Sequence, residues 1–497
     1  MSDLRNFTLC GLVVFGISVW WTAPASAQFG GVAGGAGAGG FGGAGGVAGA
    51  GGAGAAGVGG AAAAGGAGAA GAAAGNMAGG IFVDAQGVVK PVFGGDAGGK
   101  LSQKRVEVEA RKHLPSDMNA FSPLRKVSLV QLEAACAEYA DNRKNVPPEM
   151  HYLAGLQRID YVFASPETHD IIIAGPAEGF AFDAVGRAVG ATTGRPPMRL
   201  DDLMVALRSI ERGGQLGCSI DPKPESLANL NRWVVENSAP TDTNRAMARY
   251  DTMAQILGMQ DVKIWGVPAE SHFGQVLVEA DYRMKRISIG LETVRGVKSH
   301  LSMVGTGGNS VQRWWFVPYY DKFSRSDDGL AFHLAGQRAQ LLSQEEVVGD
   351  KGERSNAAVT RQSTQKWARH FTDKFPEIAS RAPVFAELQN LIDLAVVSAL
   401  LKKERLPERV GWKMSLFLDP ERAAIRKENV PRQLATTANS RMAGRTVVGS
   451  VCGGVKIDPM GTVRALEYYE DADGKLTAER EKSQTPQNAE KHPWWWD

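Results

Sequence analysis

From Phe29 to Gly80 the chain is almost entirely glycine and alanine with a few valines, and no charged residue stands between Arg5 and Asp84. Such a stretch has too few large apolar side chains to offset the conformational entropy lost on folding. It predicts a flexible tether over residues 28–78, spanning about 40 Å root-mean-square by the relation for Gly-rich coils. Whatever folds must then begin near residue 79. The 60 glycines, against 23 prolines, belong to this biased segment rather than to a glycine-rich fold. Chance GxGxxG matches inside it lack the preceding strand and following amphipathic helix that a dinucleotide loop needs. Self-association of an uncharged low-complexity tract is the second reading of the same composition.

Ahead of the tract lie Arg5, the apolar run LCGLVVFGISVWW and Ala25-Ser26-Ala27. A positive start, an apolar core too short for about 30 Å of hydrocarbon and small residues before the cut predict a signal peptide over residues 1–27. Cleavage then leaves Gln28 first, and the protein is exported to the periplasm, cell surface or exterior; an uncleaved anchor is the alternative. Cys136, Cys218 and Cys452 remain, an odd number too sparse for a disulfide framework. Cys136 in LVQLEAACAEYA and Cys218 in QLGCSI read as small buried hydrophobes on a helix and a strand. The net charge of +2, from 55 basic and 53 acidic side chains, argues against a nucleic-acid partner.

Residues 79–470 predict an α+β globular region, with an irregular α/β arrangement also open, because strand and helix signals alternate without a regular βαβ rhythm. Two subdomains, about 79–305 and 306–470, would suit its length, followed by a polar tail over 471–497. LQRIDYVFA and DIIIAGP read as strands around the SPETHD turn, KIWGV as a strand and DDLMVALRSIE as a helix. Asp221 before Pro222 predicts a helix N-cap ahead of SLANLNRWVVE. Phe385, Leu388, Ile392, Val396 and Leu400 give Pro383 to Leu401 helical spacing, while Glu387 and Asp393 exclude a membrane span. GGIFVDAQGVV and GGVKIDPMGTV, nearly four hundred positions apart, predict two hairpins over 81–89 and 455–463 with Asp first and Gly fourth in a type I turn. Coincidence is the competing reading.

No catalytic, metal-ligating or cofactor-binding set emerges. HFGQVLVEADYRMKRISIGLE is an amphipathic helix with Leu277, Ala280, Met284, Ile287 and Leu291 on one stripe and Glu279, Asp281, Arg283 and Lys285 paired on a solvated face. Tyr282 and Lys285 miss the four-residue spacing of a dehydrogenase pair. Ser363 and Lys366 form an isolated SxxK, and the run around Asp471 and Asp473 lacks calcium ligands at its first and last positions. His169-Asp170 and Glu270-x-His272 read as turn or surface residues. In RWWFVPYYDKF, alternation places Trp314 and Phe316 toward the core and Trp315 and Tyr319 on the other face, with Pro318 at an edge or strand end. Trp315 and Tyr319, about 13 Å apart at the strand rise, could form an aromatic platform for an extended polymer. Burial of both rings is the leading reading, because tryptophan is usually largely buried and its indole N–H can find a partner there.

HFGQVLVEADYRMKRISIGLE, QRWWFVPYYD and PVFAELQNLIDLAVVSALL together resemble an uncharacterised secreted domain family known mainly from planctomycete genomes, over residues 80 to 470. The resemblance implies an extracytoplasmic protein with a biased N-terminal region and carries no activity or catalytic residue. The sequence therefore predicts a non-catalytic binding or structural role at the envelope, with an envelope polymer or protein as partner. The alternative is a secreted hydrolase acting on an envelope polymer, whose acids would converge only in three dimensions.

Overall fold

The computed structural model describes residues 18–24, 80–83, 89–92 and 100–497, the last with short gaps at 184–185, 214, 240, 305–309, 349–350, 352–353, 444–445, 452–454 and 487–492. The predicted tether, the signal segment apart from residues 18–24, and Cys452 lie outside them. The fold is α+β, as the alternating signals predict.

At its centre runs the helix Pro383–Lys403, which packs on the helices Leu200–Glu211 and His272–Ser288. It is apolar nearly all round, and such a helix requires burial on every side. Among the described residues it is the one helix long and apolar enough to cross a membrane, and it is buried inside the protein instead. Pro383 occupies its first turn, where a missing N–H costs nothing. His272–Ser288 starts on Ser271, whose Oγ accepts the Gly274 N–H at 3.1 Å. Leu200–Glu211 carries Asp201 and Asp202 in its first turn, where acids favour the helix dipole.

Three larger sheets surround these helices. The seven-stranded sheet runs Tyr469–Glu470, Lys322–Arg325, Ala331–Ala335, Tyr161–Ser165, Asp170–Ala177, Ser122–Ser128, Trp495–Trp496. Its hairpin Tyr161–Ser165 and Asp170–Ala177 turns at SPETHD as predicted, with His169 in the left-handed region at φ 57°. A four-stranded sheet orders Gln433–Ala435, Met259–Trp265, Leu216–Asp221, Val455–Ile457, and a six-stranded one orders Arg354–Asn356, Arg338–Val348, Ser310–Tyr319, Ser18–Pro24, Thr446–Val451, Asn439–Ala443. Strands from both sides of residue 305 share the seven-stranded sheet, and one apolar core runs from Val106 to Trp495. The last residues pack too: Trp494 and Trp495 are buried, and Asp497 accepts from the Arg125 Nε at 2.7 Å.

Three local expectations need correction. Gly80–Val83 pairs with Val89–Val92 as a hairpin, its turn lying outside the described residues, but the second copy is not one. There Val455–Ile457 leads into the helix Pro459–Ala465, with the Asp458 side chain capping Gly461 N–H at 2.9 Å. A D-x-x-G sequence suits both structures, and Pro459 at the first helical position selects the helix. Asp221 ends a strand, and the following helix begins at the second proline, spanning Pro224–Glu236. The third correction concerns the charged face of His272–Ser288. Its Glu279, Asp281 and Lys285 are buried rather than solvated and Arg283 is half-buried, with Asp281 at 0% and Lys285 at 4% exposure and the two paired at 3.4 Å. The apolar stripe Leu277, Ala280, Met284 and Ile287 is buried as predicted.

Candidate functional site

The buried charges of that helix open onto a cleft of about 320 Å³. His272, Gln275, Val276 and Glu279 line it from one helix face, as three- and four-residue spacing requires. The central helix contributes Glu387. Arg187 comes from the short hairpin Phe180–Phe182 and Ala188–Gly190, and Arg426 and Glu428 from a segment without helix or strand over residues 419–432. Asp202, buried on Leu200–Glu211, completes the set from behind His272.

His272 stands between two acids, with Nδ1 2.7 Å from Asp202 Oδ2 and Nε2 3.5 Å from Glu387 Oε1. Burial alone lowers an imidazole pKa, but the Asp202 charge, with its hydrogen bond and that of Glu387, overrides burial and holds His272 at about 9. Arg187 donates to both oxygens of Glu279, at 3.0 and 2.9 Å, and pairs with Glu387. Burial raises a carboxyl pKa, yet Arg187 and protonated His272 hold Glu387 down at about 2. Arg199 reaches Glu428 at 3.4 Å and lies 5.7 Å over the Tyr152 ring. Tyr152 in turn meets Phe182, which lines the cleft and is 57% exposed. Arg426 is exposed, and its guanidinium makes no hydrogen bond or ion pair among the described residues.

Near neutrality Glu387 is therefore held ionised and His272 protonated. A smaller cavity beside it is lined by Cys136 and His151. There burial, helped by the nearby Glu133, pushes the Cys136 thiol up to about 12. Burial and the Arg426 and Arg199 charges push His151 down to about 3. A thiolate nucleophile is therefore disfavoured, in keeping with the reading of Cys136 and Cys218 as buried hydrophobes. Among the described residues no group of three or more His, Cys, Asp or Glu side chains is arranged to hold a metal ion.

Residues 218–300 match the model of a family described as a protein of unknown function, DUF1598. An uncharacterised domain is thereby supported over that stretch. No curated protein and no solved structure matches the chain. The matched stretch supplies His272 and Glu279 to the cleft, whereas Arg187, Glu387, Arg426 and Glu428 come from outside it.

The expected aromatic residues sit elsewhere. Trp314 and Phe316 are fully buried, as alternation predicts, while Trp315 is half-buried and Tyr319 is 37% exposed on the other face. Pro318 is next to last in the strand Ser310–Tyr319. His272, read from sequence as a surface residue, is instead a buried member of the cleft.

Proposed function

We propose that the cleft binds a polar segment of an envelope polymer without chemical turnover, in a protein that works at the cell envelope. The observation that carries this reading is the buried ion network of His272, Asp202, Glu387, Arg187 and Glu279 beneath an uncommitted Arg426 and an exposed Phe182. With Glu387 tied to Arg187 and His272, and with His272 held protonated, neither is available as a general base, which suits holding a ligand better than cleaving one. The ligand class is a segment of envelope polymer with an anionic group for Arg426 and a flat ring face for Phe182. The signal-like start supports an extracytoplasmic site of action.

Co-sedimentation of the protein with purified envelope polymer tests this. Arg426→Ala is expected to weaken retention about tenfold, in line with the loss of a charge-assisted hydrogen bond, with melting unchanged. Equal retention of variant and wild type refutes the cleft as the binding site. A second reading, favoured by the partial exposure of Trp315 and Tyr319 on one strand face, places an extended polymer on those rings. Loss of retention in Trp315→Ala but not in Arg426→Ala would select it.

A further inference from the structure

The segment that closes the cleft has a second side. Arg426 and Glu428 line the cleft, whereas the alternate residues Ile425 and Lys427 line another cavity of about 440 Å³. Its floor is one face of the helix Leu200–Glu211, with Val205 and Ser209 followed by Arg212 at the C-cap. The opposite wall is the turn from Gly266 to Glu270, which leads into the helix His272–Ser288. The lining is mainly apolar, and the volume lies within the roughly 300–1,000 Å³ typical of small-ligand sites.

The charges at its mouth do not cancel. Arg208 is committed to the protein, donating to the carbonyls of Phe417 at 2.7 Å, Asp419 at 3.1 Å and Ala423 at 2.7 Å. Arg212 is exposed and makes no ion pair among the described residues. Glu270 is the one acid on the lining, and Lys427 and Arg432 already share it at 3.9 Å each. An apolar cavity with surplus positive charge at its rim favours a ligand of matching polarity. We propose that this cavity is a second ligand site, distinct from the cleft, which takes a hydrocarbon carboxylate with its chain inside and its carboxylate at the Arg212 and Lys427 rim.

Titration calorimetry of the full chain with octanoate at neutral pH tests the proposal. Saturable binding at one site is expected. Arg212→Glu should raise Kd about tenfold by reversing the rim charge. Ala269→Trp, at an exposed position on the wall, should abolish binding by filling the cavity. Octan-1-ol, with the same chain and no charge, should bind at least about tenfold more weakly. Arg426→Ala, confined to the polar side, should leave octanoate binding unchanged, so failure of the cleft reading and failure of this one give different results. Absence of saturable binding, wild-type affinity in folded Ala269→Trp, equal affinity for octanol, or loss of octanoate binding in Arg426→Ala would each overturn it.

Discussion

His272 shows how a single side chain can be misread until its partners are in place. Sequence offered only Glu270 as a neighbour and assigned a surface role, but the residues that matter are Asp202, 70 positions earlier, and Glu387 on the central helix. A usable signal did exist. Glu387 and Asp393 interrupt an apolar run, and an acid that must be buried requires a cation. Asp393 meets that need with Arg338 at 2.9 Å, and Glu387 with Arg187 and His272. The pH dependence follows. His272 titrates near 6.5 when unfolded and about 9 when folded, so its stabilisation is complete below 6.5 and is lost as pH rises through about 9. Glu387 moves from 4.5 to about 2, so its stabilisation is present above 4.5 and is lost as pH falls through about 2. Both contributions are complete between 4.5 and 6.5. Replacing the cation in His272→Gln leaves Asp202 and Glu387 buried together and should destabilise the fold by about 3 kcal/mol at pH 6. Urea unfolding of both proteins at pH 6 and above pH 9 checks this, since the gap should narrow at the higher pH. A gap independent of pH would mean that His272 is not held protonated.

At the scale of elements, periodicity located the longer core helices and several strands, and their ends depended on one or two residues. The central helix, the amphipathic helix and the hairpin at SPETHD were legible because long apolar periods and turn residues agree there. The second D-x-x-G copy was not, because an aspartate that accepts an N–H three residues on serves a turn and a helix cap equally. The charged face of His272–Ser288 also misled, because acid and base four residues apart suggest a solvated surface whether or not another element covers them. Here the covering elements are the strand Leu216–Asp221, whose Ile220 carbonyl accepts from Lys285 at 3.3 Å, and the Arg187 turn that engages Glu279. Asp458 gives a direct test of the corrected assignment. If it caps the helix Pro459–Ala465, Asp458→Ala should cost about 1 kcal/mol and Asp458→Asn little of that. Thermal melting measures the difference, and equal losses in both variants would count against the cap.

For the whole molecule, fold class was readable because helix and strand signals both recur, whereas sheet order was not, since distant segments choose their neighbours by packing. The strand Ser18–Pro24 makes this concrete. It lies within the segment whose composition predicts a signal peptide, yet it pairs with Thr446–Val451 from Val19↔Val451 to Pro24↔Thr446 and with Ser310–Gln312 on its other side. The same β-branched and aromatic residues that make an export signal apolar also favour a strand, so composition alone serves both states. If export removes residues 1–27, two strands lose a shared neighbour and their backbone N–H and C=O groups along that edge must turn to water or to another strand. Mature protein beginning at Gln28 should therefore show faster amide exchange at residues 310–312 and 446–451 than a cleavage-blocked precursor, with exchange in the central helix unchanged. N-terminal sequencing of the exported protein fixes which form exists outside the cytoplasm. Equal protection in the two forms would mean that Ser18–Pro24 contributes nothing to the sheet, and recovery of an intact N-terminus would remove the cleavage while leaving the strand in place.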